Sequence, residues 1–163
     1  MGQALRKGAR DAEGAAQRLG AVADLLGGAR VLRRPLRSRL DAHDAILEGL
    51  PGAALKHLVD RLAVLREPAS LEKALGMSLR TVQRHRDAPA KPLGREQSGR
   101  VWEFAELFAK ATAVFGSKDE AERWMARPAI GLEQRRPIDL LATPEGRRLV
   151  AEHLERLEYG VYA

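Results

Sequence analysis

A chain of 163 residues with 28 Lys/Arg, 22 Asp/Glu and no cysteine carries a formal charge of +6. Without cysteine there is no disulfide framework, thiolate zinc site or cysteine nucleophile, a usage that fits a reducing cytoplasm. No apolar run reaches the ~18 residues of a membrane span, and Met1–Arg10 lacks the apolar core of a signal peptide, so a cytoplasmic location with no membrane partner is expected. Alanine, leucine, arginine and glutamate dominate while β-branched residues are few, which predicts an all-α fold. The charge is unevenly placed: Met1–Leu40 holds nine basic against three acidic residues, and the remainder balances apart from a local excess at Arg80–Lys91. A basic N-terminal arm suits phosphate contact; it also suits a solvated leader.

In chain order, Met1–Gly28 reads as an Ala-rich helix (Ala12, Ala15, Ala16, Leu19, Val22, Leu25, Leu26) closed by Gly27-Gly28. Its narrow, alanine-heavy face packs weakly or waits for a partner. Arg30–Arg39 is a basic connector broken by Pro35, and Asp41–Leu47 forms a short helix. Pro51 sits in the first turn of the next helix, in which Leu55, Leu58, Val59, Leu62 and Leu65 recur at helical spacing until Pro68. Residues 1–50 are thus a basic arm with helical segments.

The stretch Ser70–Arg86 organises residues 51–92. It reads as a short helix, a tight turn and a second helix. Leu71, Ala74 and Leu75 make the first apolar face, Gly76 supplies the turn, and Met77 plugs the angle. Ser78 caps the second helix, in which Leu79 and Val82 face inward and Arg80, Thr81, Gln83, Arg84 and Arg86 face out. Long donors at the start of an exposed helix are what a major-groove reader requires. A plain helical hairpin with a solvated basic face has the same pattern.

Ala88–Leu93 is a loop with two prolines. Val101, Phe104, Leu107, Phe108, Ala111, Val114 and Phe115 then form the stripe of a long amphipathic helix ended by Gly116, with Ser117 capping a helix over Lys118–Met125. The Phe and Trp residues between 102 and 124 read as core rather than ligand cage. Pro128–Arg136 is a turn-rich link, Pro137–Leu141 starts a short helix, and Thr143-Pro144 opens the last one. There Leu149, Val150, Leu154 and Leu157 face the core, and Gly160 stops the helix. The closing Tyr159–Ala163 is either gripped by another protein or folded back on its own core.

No enzyme is legible. His43, His57, His85 and His153 are dispersed, with none at metal-ligand spacing to another. His153, between Glu152 and Glu155, reads as solvated, and His85 as exposed or phosphate-touching. No phosphate-loop sequence occurs, and the serines sit where turns and caps put them. No catalytic residue, metal site or cofactor is expected.

Four blocks in the second half carry a resemblance: Trp124-Met125-Ala126-Arg127-Pro128, Arg136-Pro137-Ile138-Asp139-Leu140-Leu141, Thr143-Pro144-Glu145-Gly146 and Leu157–Ala163. In order and spacing they resemble the C-terminal domain of MbcA/ParS/Xre-type antitoxins, the partners of RES-domain toxins. Upstream, Leu75–Arg84 looks like the family's Xre/Cro-type helix-turn-helix. Leu93, Ser98, Arg100 and Phe115-Gly116 match its long linking helix. The resemblance spans about Ala54–Ala163, with two departures. Glu72 stands at the inward site where the motif has alanine, and Gln97 stands where many relatives have glutamate.

The resemblance implies an all-α chain in which an Xre/Cro-like helix-turn-helix domain (51–92) precedes a small helical toxin-binding domain (93–163). It implies an antitoxin that occludes the NAD-binding site of a RES-domain toxin, which consumes NAD or transfers ADP-ribose. The plug would be Glu158, Tyr159, Gly160, Val161, Tyr162 and Ala163. The same family represses its own operon, which makes operator DNA the second partner and Ser78, Arg80, Thr81, Gln83, Arg84 and Arg86 the contact residues. One recognition helix grips too little DNA, and the Val101–Phe115 stripe is broad; both lead to a homodimer within a larger toxin–antitoxin complex. The alternatives are a stand-alone helix-turn-helix repressor with a dimerisation domain, and an adaptor with a vestigial motif.

Overall fold

The computed structural model describes residues 1–160, among which ten α-helices and two 3-10 turns occur and no strand. Helix α1 (Gly2–Leu25) is docked only by its end. Val22 and the following Leu26 are buried and Leu19, Ala23 and Leu25 half-buried, while residues before Leu19 are almost wholly exposed. The cause is area, since an alanine face removes little apolar surface from water per turn. The connector expected over Arg30–Arg39 contains a further short helix, α2 (Gly28–Leu32), which buries Leu32. Helix α3 (Arg39–Glu48) starts two residues earlier than expected. Ser38 Oγ accepts the Asp41 N–H at 3.2 Å and Asp41 returns a carboxylate to the Ser38 N–H, a capping box.

Pro51 stands just before α4 (Gly52–Arg61) as its cap residue. The Leu55–Leu65 series does not stay in one helix. The chain leaves α4 at Leu62 and makes a 3-10 turn over Ala63–Leu65, and this keeps Leu62 and Leu65 buried beneath α5 (Pro68–Leu75). Pro68 is therefore the opening residue of α5, where a missing N–H costs nothing. After α6 (Leu79–Asp87), the loop 88–93 turns back onto the start of α4. Gly52 and Ala53 donate to the carbonyls of Lys91 and Pro89, both at 2.9 Å, and Leu93 donates to Leu50 at 2.8 Å.

The axis of the molecule is α7 (Arg95–Phe115), which packs against α1, α3 and α5 and against α8 (Lys118–Ala126) and α10 (Pro144–Glu158). Val101, Phe104, Leu107, Phe108 and Ala111 are buried, and so are Trp102, Ala105 and Ala109. Most of the apolar stripe is thus covered within the chain, and Val114 and Phe115 at its end are half-buried. Gln97 Oε1 accepts the Gly94 N–H at 3.1 Å, so the departure from glutamate leaves that cap intact. Thr143 and Ser117 cap α10 and α8 as expected. In α10 Val150 and Leu154 are core and Leu157 is half-buried, but Leu149 is 48% exposed. It lies too far round the helix from the Val150–Leu154 line to reach α7.

Candidate functional site

The turn between α5 and α6 is built as its residues dictate. Gly76 adopts φ 65°, the left-handed geometry that ends α5, and Met77 is buried under it. Ser78 Oγ accepts the Thr81 N–H at 3.2 Å and its hydroxyl donates to Thr81 Oγ1 at 3.1 Å. α6 is held to the body by Val82 and His85. Around them Ser78, Arg80, Gln83 and Arg84 are exposed and Thr81 and Arg86 half-buried.

Three expectations change here. Leu79 is 51% exposed rather than inward, and in the first turn of α6 only Val82 is buried. His85 is buried, at 8% exposure, with no hydrogen-bond partner for Nε2 among the described residues; the α4·α6 packing covers it. Glu72 is exposed, beside Gly76, Lys73 and Arg100 at a shallow surface depression, so it does not disturb the helix crossing. Arg86 pairs with Asp60, and Gln83 donates to Asp87 at 3.0 Å. Asp60 also accepts from Lys56 at 2.8 Å; the Lys56 hydrogen bond, and then the Arg86 charge, hold its carboxyl below the usual range. Arg80 and Arg84 thus stand as the most open cations of α6.

The helix pair is stitched to the C-terminal part by polar contacts that helical periodicity did not reveal. Ser98 Oγ, fully buried, accepts the Leu50 N–H at 2.9 Å. Arg100 donates to Lys73 O at 2.9 Å and to Ala74 O and Leu141 O at 3.3 Å. One guanidinium therefore satisfies carbonyls at the end of α5 and beyond α9 (Pro137–Leu140) together. Burial, with the nearby Arg147 charge adding to it, pulls the Arg100 pKa down. Lys73 reaches Asp139 at 2.9 Å, and Arg136 grips the same carboxylate through two N–H groups at 2.9 Å. The Arg136 and Lys73 hydrogen bonds hold Asp139 at about 2. The sequence signal for Arg100 was its match to the family's linking helix, which gave its position and not its partners.

At the far end, α10 finishes with Glu158, which pairs with Lys110 at 3.8 Å. Tyr159 is 73% exposed, and Gly160 follows at φ 69°. Val161, Tyr162 and Ala163 of the expected plug lie outside the described residues. His153 does not stand in solvent: its ring stacks on Trp124 with centroids 6.0 Å apart, and burial lowers its pKa. Among the described residues no helix is long and apolar enough to cross a membrane, and no group of His, Asp or Glu is placed to hold a metal ion.

Residues 41–106 match the Antitoxin Xre-like helix-turn-helix domain, and residues 110–160 match the Antitoxin Xre/MbcA/ParS C-terminal toxin-binding domain. The chain is 30% identical to an antitoxin Xre of Pseudomonas putida over 125 residues, which are 77% of this chain and 76% of that one. The chain belongs to the Xre/MbcA/ParS antitoxin family. That family is one of antitoxins, not of enzymes. An antitoxin Xre of Yersinia enterocolitica is 33% identical over 96 residues, covering 58% of this chain and 64% of the relative. A Sphingobium protein named Prs ADP-ribosylating antitoxin is 28% identical over 135 residues, covering 77% and 83%. The family's two regions coincide with the two sites described: α6 falls in the helix-turn-helix match, and the α10 terminus in the toxin-binding match.

Proposed function

We propose that this antitoxin neutralises a RES-domain toxin by covering its NAD-binding site with the segment Glu158–Ala163, and that it represses its own operon through α6. The observation that carries the first part is Tyr159 standing exposed where α10 ends, inside the region that matches a toxin-binding domain. A tyrosine offers rigid contact area with a polar tip, and occlusion asks no chemistry or cofactor of the antitoxin. For the second part, Arg80, Gln83 and Arg84 are the base-reading residues, and the exposed Leu79 beside them meets a thymine methyl group. Ser78 and Thr81 contact phosphates while capping the helix, and Arg86 orients Asp60 or swings to a phosphate. Two-fold pairing on a palindromic operator makes the DNA-bound form a homodimer within a larger complex. The functional parts are then 1–50, 51–92 and 93–163, and the protein works in the cytoplasm.

The test is removal of residues 159–163. The expected result is a folded protein that still binds operator DNA and no longer protects NAD from the toxin. Retained protection overturns the plug.

A further inference from the structure

The link Pro128–Pro137 is not a slack connector. Ala129 donates to Arg135 O at 3.0 Å, Gln134 to Ala129 O at 2.9 Å and Arg135 to Leu132 O at 3.0 Å, which closes the loop on itself. Glu133 and Gln134 both take positive φ, 54° and 63°, a geometry uncommon for residues with side chains. Ala129, Leu132 and Pro137 are buried and anchor the loop, while Ile130 between them is 85% exposed. The floor is equally firm. Gly131 lies so close to His153 that a Cβ there would fall 2.2 Å from the ring. Behind His153 stand Trp124 and then Phe115, whose ring centroids are 5.1 Å apart.

A closed loop that holds an isoleucine out in water has no reason in the fold, whose core gains nothing from that side chain. It has one in binding: an apolar knob already ordered loses little freedom on docking, and such anchors dominate interface energies. Its polar neighbours at the loop, Arg127, Glu133, Gln134 and Arg135, are exposed as well, the composition of an interface rim. The loop packs on α10 at His153, and Tyr159 lies six residues further on, about 9 Å along the helix axis. The knob thus sits beside the C-terminal half of α10, inside the region that matches a toxin-binding domain.

We propose that Ile130 is a second anchor for the toxin, seated in an apolar pocket outside the cleft that the terminus covers. This rests on the toxin reading above. The test uses the full chain, the RES-domain protein encoded beside it, and calorimetry. Ile130→Asp weakens binding by about tenfold or more with an unchanged melting temperature. Gly131→Ala, which lifts the loop from His153 and keeps the isoleucine, weakens it too. Leu47→Asp, on the exposed face of α3, binds as the unsubstituted chain does. Native affinity for Ile130→Asp overturns the anchor, as does a change confined to self-association, which would assign the knob to a second copy. Absence of binding by the unsubstituted chain sinks the toxin reading itself, and this inference with it.

Discussion

Helices α6 and α10 are built alike and, on the proposed function, face different partners. Each opens on a hydroxyl cap, Ser78 or Thr143, and each is held by buried residues one turn apart, Val82 and His85 in α6 and Gly146, Val150 and Leu154 in α10. Each also leaves one leucine in water, Leu79 or Leu149. Their outward charge separates them. α6 carries Arg80, Arg84 and Arg86 against Asp87, a face for a polyanion. α10 interleaves Glu145, Glu152, Glu155 and Glu158 with Arg147, Arg148 and Arg156 and ends in Tyr159, a face for a protein surface. Common packing rules set both helices in place, and what each reads lies in the residues those rules leave outside.

That contrast is broken most directly at its charges. Arg80→Ala combined with Arg84→Ala weakens operator binding by about a hundredfold, at roughly 1–3 kcal/mol per lost base contact, and lowers the salt slope of binding in a titration. Toxin neutralisation stays at the native level; a parallel loss would show that the two faces are one. Gly146→Ala acts on the other helix. A Cβ there meets Leu140 O at 1.7 Å, so α10 must shift, at a cost of about 2–3 kcal/mol in denaturant unfolding, with neutralisation impaired before DNA binding.

Smaller effects sharpen the account of the leucines. Val82→Ser, fully buried, costs about 2 kcal/mol, whereas Leu79→Ser stays within about 0.5 kcal/mol and is felt only in DNA binding. Equal costs would mean Leu79 is core after all. The smallest change is at the junction. Asp139→Asn removes a part-exposed ion pair worth about 1 kcal/mol or less. Its carboxyl sits at about 2 in the folded chain against ~3.9 unfolded. The unfolded state therefore takes up its proton first as pH falls, and the contribution, complete above that value, drains away between about pH 4 and 2. Acid titration of the Asn variant should lack that component.

Local chemistry was legible in the sequence and tertiary context was not. The caps at Ser78, Ser117 and Thr143, the turns at Gly76 and Gly116, and the core stripe of α7 all follow from neighbours within four residues. Leu79, Leu149 and His85 were misplaced because spacing gives the phase of a helix but not where its neighbour stops. Leu62 and Leu65 kept their burial and lost their helix, since a 3-10 turn presents them to α5 as well. Ile130 carried no signal at all, because its exposure is decided by a hydrogen-bonded loop with two left-handed residues that no propensity foretells.

The two family regions meet between residues 106 and 110, within α7, where Leu107, Phe108 and Ala109 are buried. An exchange of parts between relatives at that boundary would cut through the centre of the protein and part Arg100 from Leu141, whose carbonyl it holds. Parts exchanged at that boundary must therefore be matched to each other across α7. On the proposed function, a new operator or a new toxin is met by substitution among the exposed residues of α6, of the 128–137 loop and of the α10 end, which leaves the packing of α7 intact.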